Sequence, residues 1–404
     1  KKVLYVSNIT DIDDKIIKAS EKLKVAITDV SEKFHKIYNE DMLSLGVMLP
    51  DIQPKATDYI NEIIIMIEKL IKNKCAYLDN NHVIFDVESY KHYGKLSRRS
   101  IEDQIEGARV EVSKFKKNAR DFILWKPSHE NQPGWESPWG RGRPGWHIEC
   151  SVMSQECLKI PFDIHCGGVD LTFPHHENEI AQSCSAINPD SEPENFCRYW
   201  FHNGFVTFDG EKMSKSLGNI KLVHDLLKKY NGNTIRFSLL SAHYRQPLNW
   251  TDEILKQSSI TLSRIYKKLE KFDFKMHQSK DFLKNKLFLE FEQALCDDLN
   301  TPMALGILGK MVNSLNISSS NETIELYLSI NQALEILGLK NDLSFQKESS
   351  DHFINSLIME REIARKEKKY DRADEIRDIL RKENIEIEDT KEGTRWIKLK
   401  LKIL

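Results

Sequence analysis

Lys212-Met213-Ser214-Lys215-Ser216, bracketed by Gly210 and Gly218, sets two lysines and two hydroxyls between two glycines. These are the parts of a mobile loop that grips polyphosphate. The ammonium groups of Lys212 and Lys215 neutralise developing charge, the hydroxyls of Ser214 and Ser216 hydrogen-bond to it, and the glycines let the loop close. A solvated basic turn would share the charge but not the string. On equal residue frequencies the string arises by chance in a chain of this length roughly once in eight thousand.

The chain around this loop has 404 residues, a length that suits about two to four domains. Apolar residues make up 40%, ample for packed cores. A net charge of −2 gives no global signal for nucleic acid, so any RNA contact must be local. The longest apolar stretch, Tyr59–Ile71, is broken by Asn61, Glu62, Glu68 and Lys69, which reads as an amphipathic helix and not a membrane span. No basic segment followed by an apolar run marks a signal peptide. The seven cysteines are odd in number and scattered, which fits a reduced cytoplasm and some metal ligation better than a disulfide scaffold.

Three segments upstream of the loop carry metal-binding chemistry. Gly145-Trp146-His147-Ile148-Glu149-Cys150 supplies a thiol. Asp163-Ile164-His165-Cys166-Gly167-Gly168-Val169-Asp170 reads as a short strand entering a glycine turn, and Phe173-Pro174-His175-His176-Glu177-Asn178-Glu179 as the opening of a helix. His175 and Glu179 are four apart and share a helical face. An imidazole and a carboxylate on one face, with a thiolate from elsewhere, make a borderline-soft site that suits zinc. Taken singly, a cysteine is more often core and an acidic helix start more often serves the dipole.

Taken together, these segments and the lysine-serine loop resemble cysteinyl-tRNA synthetases, a class I aminoacyl-tRNA synthetase family, over essentially the whole chain. The resemblance implies an α/β, doubly wound (Rossmann-like) catalytic domain over residues 1–195, incomplete at its N-terminus, with a connective insertion at about 72–138. It implies a stem-contact region carrying the loop at 196–250, a helical bundle at 251–342 and a small mixed anticodon-binding domain at 350–404. It also implies ATP-dependent activation of L-cysteine, with Mg2+, to an adenylate, and transfer to tRNA(Cys), by a monomer. Zinc would be held by Cys150, His175 and Glu179 and would read the substrate sulfur. Shape alone separates cysteine from serine weakly, whereas zinc bonds thiolate far better than hydroxyl. Lys215, with Lys212, Ser214 and Ser216, would act on the ATP phosphates. Thr10, Trp146 and Asp170 would surround the bound cysteine or the ribose, and Arg365, Tyr370 and Asp374 would read the anticodon.

The chain departs from the family at two places. It opens at Lys1-Lys2-Val3-Leu4-Tyr5-Val6, read as a strand in mid-domain, without the family's His-Ile-Gly-His motif or its N-terminal cysteine ligand. A chain lacking its N-terminal part is the simpler expectation, and a paralogue with a dead site the other. Cys166 stands where the family usually has glycine, which is costly if the backbone there has positive φ. Two rival functions follow: a cysteine ligase of mycothiol synthesis, which would lack the anticodon-binding tail, and a non-catalytic RNA-binding paralogue. Residues 353–396 argue against the first. Short strands are expected at His82–Val87, Phe122–Trp125 and Arg395–Leu401, a helix at Ile101–Gly107, and a helix start at Asn300-Thr301-Pro302.

Overall fold

The computed structural model describes residues 2–107, 116–213, 218–272, 285–316, 321–340, 358, 361–362, 364–365, 369–382, 385–390 and 393–398. Ser214, Lys215 and Ser216 lie outside the described residues. The chain forms two compact units. The first comprises Lys1–Ile220, Leu239–Thr251 and Glu292–Leu305, and the second the remainder.

The first unit opens with α1 (Asp14–Leu23), α2 (Ile27–Ser44) and α3 (Ile60–Lys72). Asp13 caps α1, its side chain accepting from Ile16 N at 2.7 Å. α3 buries Ile60, Ile63, Met66, Ile67 and Leu70, the apolar stripe its spacing predicts. The expected opening strand is reduced to two isolated parallel bridges, Val6 to Ile52 and Ile9 to Lys55. Ile9 N donates to Pro54 O at 2.8 Å, but Pro54 has no N–H to return, so no continuous ladder forms.

Next comes an antiparallel sheet in sequential order: β1 (Ala76–Asp79), β2 (His82–Phe85), β3 (Phe122–Pro127) and β4 (Gly142–Pro144), with α4 (Ile101–Gly107) between β2 and β3. The expected strands and helix in this stretch are all present, with β2 stopping at Phe85 because Val87 turns into a short 3-10 segment. α5 (Trp146–Leu158), β5 (Phe162–Gly168), α6 (Glu177–Ile187) and β6 (Cys197–Asn203) follow. β5 and β6 pair in parallel across α6, from Phe162 opposite Cys197 to Gly168 opposite Asn203. Phe85, Trp125, Ile148, Ala181 and Phe196 form one buried core among these elements. That core fixes α5 against α6 and carries the chemistry to the carboxyl ends of the parallel strands.

β7 (Val206–Phe208), β8 (Glu211–Lys212) and β9 (Leu248–Trp250) make a sheet with β7 in the middle. Asp209 and Gly210 turn between β7 and β8 with φ of 49° and 83°, a tight hairpin that glycine allows. Asn300 caps the helix at Thr301–Ser314 by accepting from Met303 N at 3.2 Å, at the helix start that Asn300-Thr301-Pro302 predicts.

Helices beyond β8 include α7 (Val223–Leu226), α8 (Gly232–Leu240), α9 (Asp252–Leu269), α10 (Lys286–Cys296), α11 (Thr301–Ser314), α12 (Asn321–Ile336) and α13 (Tyr370–Lys382). A hairpin of β10 (Ile385–Thr390) and β11 (Gly393–Lys398) lies at the end of the described chain. In the second unit α13 packs Ile376 and Leu380 on Ile385, Ile387 and Trp396 of that hairpin. Of the two strands only β11 is among those expected. The alternation Ile385-Glu386-Ile387-Glu388 carries the signal for its partner.

Candidate metal centre

The α5–α6 packing brings Cys150, His175 and Glu179 together. Their ligand atoms lie within 4.8 Å of one another, and all three residues are buried. His175 Nε2 stands 3.2 Å from Glu179 Oε1, yet the pair is not aligned as a hydrogen bond, and Oε1 is left buried without a partner. A buried carboxylate oxygen with no donor is costly unless something outside the protein chain satisfies it. The other atoms of the set are engaged so as to leave their ligating atoms facing inward. Glu179 Oε2 pairs with His165 Nε2 at 3.0 Å, and His175 Nδ1 stands 2.8 Å from His147 Nδ1. Such outer partners fix the tautomer and orientation of a ligating imidazole.

A second set of metal-capable residues shares the same glutamate: His165, His176 and Glu179. His176 Nδ1 lies 2.8 Å from His202 Nε2 of β6, and Glu179 Oε2 is already paired with His165. The unpartnered oxygen therefore favours the thiol-containing set. Gly167 must be glycine for this layer to close, since a Cβ there would meet His176 Cε1 at 2.7 Å.

The charge states follow from burial. Desolvation, with the neighbouring imidazoles, pushes His147 and His176 down to about 3, so both are neutral near pH 7. His175 is lowered as well, chiefly by burial. Burial works against the Glu179 charge, but His165, His175 and His176 outweigh it and hold that carboxyl at about 2. Burial first, then Glu179 and Glu149, push the Cys150 thiol well above its ordinary range. A thiol kept neutral among a carboxylate and neutral imidazoles is a ligand that sheds its proton when a cation arrives.

The other expected residues fall into three groups. Trp146 is 47% exposed at the start of α5 and leans on His175 with ring centroids 4.3 Å apart and planes tilted by 37°, so it borders the cluster and is not a core residue. Thr10 is half-buried between two residues that reach Cys150: Asn8 Nδ2 lies 3.5 Å from its sulfur, and Ile12 packs against it. Asp170 is exposed just past β5, folded back so that its Oδ1 would lie 2.5 Å from any Cβ at Gly168. Cys166 is extended inside β5, so it meets no left-handed strain. Lys212 ends β8 opposite Thr207, and the flanking Gly210 and Gly218 both have positive φ.

Several residues of the site have no role assigned from sequence alone. His147, His165, His176 and His202 form the layer behind the cluster. Glu177 is buried, and its carboxylate accepts from the backbone N–H groups of Gly94 at 2.9 Å, Leu96 at 3.5 Å and Ser97 at 2.8 Å. Asn178 accepts from the Tyr93 hydroxyl at 2.6 Å, and the Arg99 guanidinium sits over Phe173. The non-ligand positions of the histidine-glutamate segment thus tie residues 93–99 to α6. Glu149 is also buried, with Oε2 unpartnered; burial, with Asp11 and Asp13, raises its pKa well above the ordinary range.

In the tail, Arg365 and Asp374 are exposed and Tyr370 is 61% exposed; Tyr370 and Asp374 are four apart on α13. Arg361, near them in sequence, is buried, so it does not share their exposed side.

Sequence profiles place these features in a family. Residues 1–260 match the class I (C) tRNA synthetase catalytic domain, 290–339 the DALR domain and 351–396 the cysteinyl-tRNA ligase anticodon binding domain. The chain is 45% identical to the cysteine–tRNA ligase of Xanthomonas oryzae pv. oryzae, covering 97% of this chain and 86% of that protein. It is 46% identical to that of Parvibaculum lavamentivorans, covering 98% and 85%. In fold it is similar to Mycobacterium tuberculosis methionyl-tRNA synthetase, with a TM-score of 0.55 over 83% of this chain and 82% of that one, at 14% identity. The fold is that of a class I synthetase, and the chain belongs to the cysteinyl-tRNA synthetase family.

Proposed function

We propose that this chain activates L-cysteine with ATP and transfers it to tRNA(Cys), and that Cys150, His175 and Glu179 hold one zinc ion facing the substrate sulfur. The observation that supports the metal is the buried, unpartnered Oε1 of Glu179 beside a thiol and an inward-facing imidazole. A zinc ion there would supply a soft Lewis acid that prefers sulfur to a hydroxyl oxygen. His147 and His165 orient His175 and Glu179, and Trp146 walls the small side chain from water. Asp170, at the mouth of the parallel strands, accepts from the substrate ammonium or the ribose hydroxyls. Lys215, with Lys212, Ser214 and Ser216, would grip the ATP phosphates and hold them in line for attack, with Mg2+ sharing their charge when bound. Arg365, Tyr370 and Asp374 take the anticodon. The enzyme works as a cytoplasmic monomer. All seven cysteines are free, which suits a reducing compartment, and among the described residues no helix is long and apolar enough to cross a membrane.

The match of residues 351–396 to an anticodon binding domain speaks against the cysteine ligase of mycothiol synthesis. Metal analysis and calorimetry test the reading. Purified protein should carry about one zinc per chain. The metal-loaded form should bind cysteine at least about 1,000-fold more tightly than serine, beyond the roughly 10- to 200-fold that apolar shape alone supplies. A metal-free protein that keeps the same preference would refute the zinc assignment.

A further inference from the structure

α10 ends in a way usually left to glycine. Leu299 N and Asn300 N fold back to Leu295 O at 3.2 Å and Ala294 O at 3.1 Å, which closes the helix with a left-handed turn. Asp298 and Leu299 occupy that turn, with φ of 51° and 53°. Aspartate tolerates the left-handed region and leucine less well, so contacts from elsewhere must hold the corner. They come from residues 242–245. Asp298 Oδ2 accepts from Arg245 Nε at 2.6 Å, and Oδ1 accepts from Arg245 Nη2 at 3.1 Å and from the Tyr244 hydroxyl at 2.6 Å. Thr301 Oγ1 donates to Ala242 O at 3.4 Å. The bonds from Arg245 and Tyr244 hold the Asp298 carboxyl down at about 2, so it is ionised near pH 7.

Residues 242–245 lead into β9, and β9 is tied to the hairpin that runs into the lysine-serine string. The Tyr244 ring stacks on Phe201 of β6 with centroids 3.9 Å apart and planes 10° apart, and Gly204 N donates to Tyr244 O at 2.6 Å. β9 pairs in parallel with β7, from Leu248 opposite Val206 to Trp250 opposite Phe208. Asn249 Oδ1 accepts from Gly210 N at 2.8 Å, at the turn just before β8. Every residue in this series belongs to the first unit. The Arg245 and Asp298 side chains are 52% and 45% exposed, and ion pairs so exposed contribute little to stability. Their bidentate geometry specifies a position instead. We propose that Asp298 is a positioning residue for adenylate formation: it fixes the start of β9, and through β7 and Asn249 the hairpin from which the phosphate-gripping loop departs. The proposal rests on the reading of that loop as the grip on ATP.

The test is ATP–pyrophosphate exchange at varied cysteine, beside thermal melting and zinc analysis. Asp298→Gly removes the carboxylate but suits the positive φ, so the corner keeps its shape without steric cost. Exchange kcat should fall roughly 10- to 100-fold, the order of loss that a shift of about 1 Å in a positioning element brings. KM for cysteine should stay within about twofold, since the loop acts on the transition state and the α5–α6 cluster is untouched. Melting and zinc content should match the unsubstituted protein. Asp298→Asn keeps an acceptor for Tyr244 and tolerates positive φ, so it should lose less. Asp298→Gly combined with Arg245→Gln should lose little more than Asp298→Gly alone, as expected of partners in one contact. A loss equal to the product of the two single losses would mean that they act apart and would overturn the proposal. Asp190→Gly, which breaks the exposed pair of Lys91 with Asp190, should leave exchange unchanged. Unchanged kcat in Asp298→Gly overturns the positioning role. So does a joint failure of kcat, cysteine KM and melting, which would make Asp298 a general support of the fold. Lys215→Ala keeps the two readings apart. If it lowers exchange and Asp298→Gly does not, only the positioning role falls. If Lys215→Ala leaves exchange unchanged, or the unsubstituted protein shows no exchange, the reading of the loop falls and the positioning role with it.

Discussion

The α5–α6 cluster and the exposed face of the tail both carry charged side chains with functional readings, but physics constrains them unequally. Around Cys150, His175 and Glu179 water is excluded, so every polar atom needs a partner from the protein or a ligand. Glu179 Oε1 accepts no hydrogen bond from the protein, only the 3.2 Å approach of His175 Nε2. That deficit is itself an argument for a cation. Arg365, Tyr370 and Asp374 are exposed, and water can satisfy whatever the protein does not. Their geometry makes no such demand, and their reading leans on the family. Burial makes a site legible because it makes unmet chemistry expensive, and exposure removes that signal.

The contrast breaks first at the cluster, where the largest effect is expected. Cys150→Ser should weaken zinc binding by more than about 100-fold, since replacing a mere outer partner of a ligand costs about 10- to 100-fold. His176→Ala should fall within that smaller range. Competition against a chromophoric chelator measures both. The reverse order would move the metal to the set formed by His165, His176 and Glu179, and the unpartnered oxygen would then mark no ligand.

A second test stays on the same helix. Glu177 and Glu179 are both buried, yet Glu177 meets three backbone N–H groups of residues 94–97. Burial raises the Glu177 pKa and those bonds oppose the rise. Glu177→Gln keeps the shape but turns an NH2 group toward N–H donors. It should destabilise the fold by about 1–3 kcal/mol, the range for leaving buried donors unmet, and shift zinc affinity far less than Cys150→Ser does. Denaturant unfolding beside the chelator assay separates the two. A large loss of metal with little loss of stability would mean that Glu177 serves the cluster directly.

These residues also mark where sequence reading succeeds and stops. His175 and Glu179 are legible because helical periodicity places residues four apart on one face. Cys150 is legible because its segment is distinctive. The layer of His147, His165, His176 and His202 is not, because no local period links these positions. Only the parallel pairing of β5 with β6 and the packing of α5 on α6 bring them together. Among the expected elements, the amphipathic α3 and the strands of the antiparallel sheet follow from short-range pattern. The opening strand fails at Pro54, where a missing N–H on the partner segment, invisible from residues 1–6 themselves, interrupts the ladder.

The smallest effects are expected in the tail, and they decide whether its exposed face is more than a solvated helix. Arg365→Ala and Asp374→Ala remove no buried group, so each should change stability by less than about 0.5 kcal/mol. Neither should alter zinc content or ATP–pyrophosphate exchange, because both residues belong to the second unit and the cluster to the first. Aminoacylation should nevertheless fall by about fivefold to tenfold. That is the lower part of the range for one lost bidentate contact to a base edge, as befits side chains already hydrated before RNA arrives. Tyr370→Ala should act in the same direction by removing a stacking face. Reading the anticodon also requires selectivity, so a tRNA with an altered anticodon should lose its disadvantage in the Asp374 variant. If the cognate and altered tRNAs are charged by these variants as they are by the unsubstituted chain, the resemblance in the tail carries fold without readout. RNA recognition would then have to come from surfaces where charge, and not side-chain identity, makes the contact.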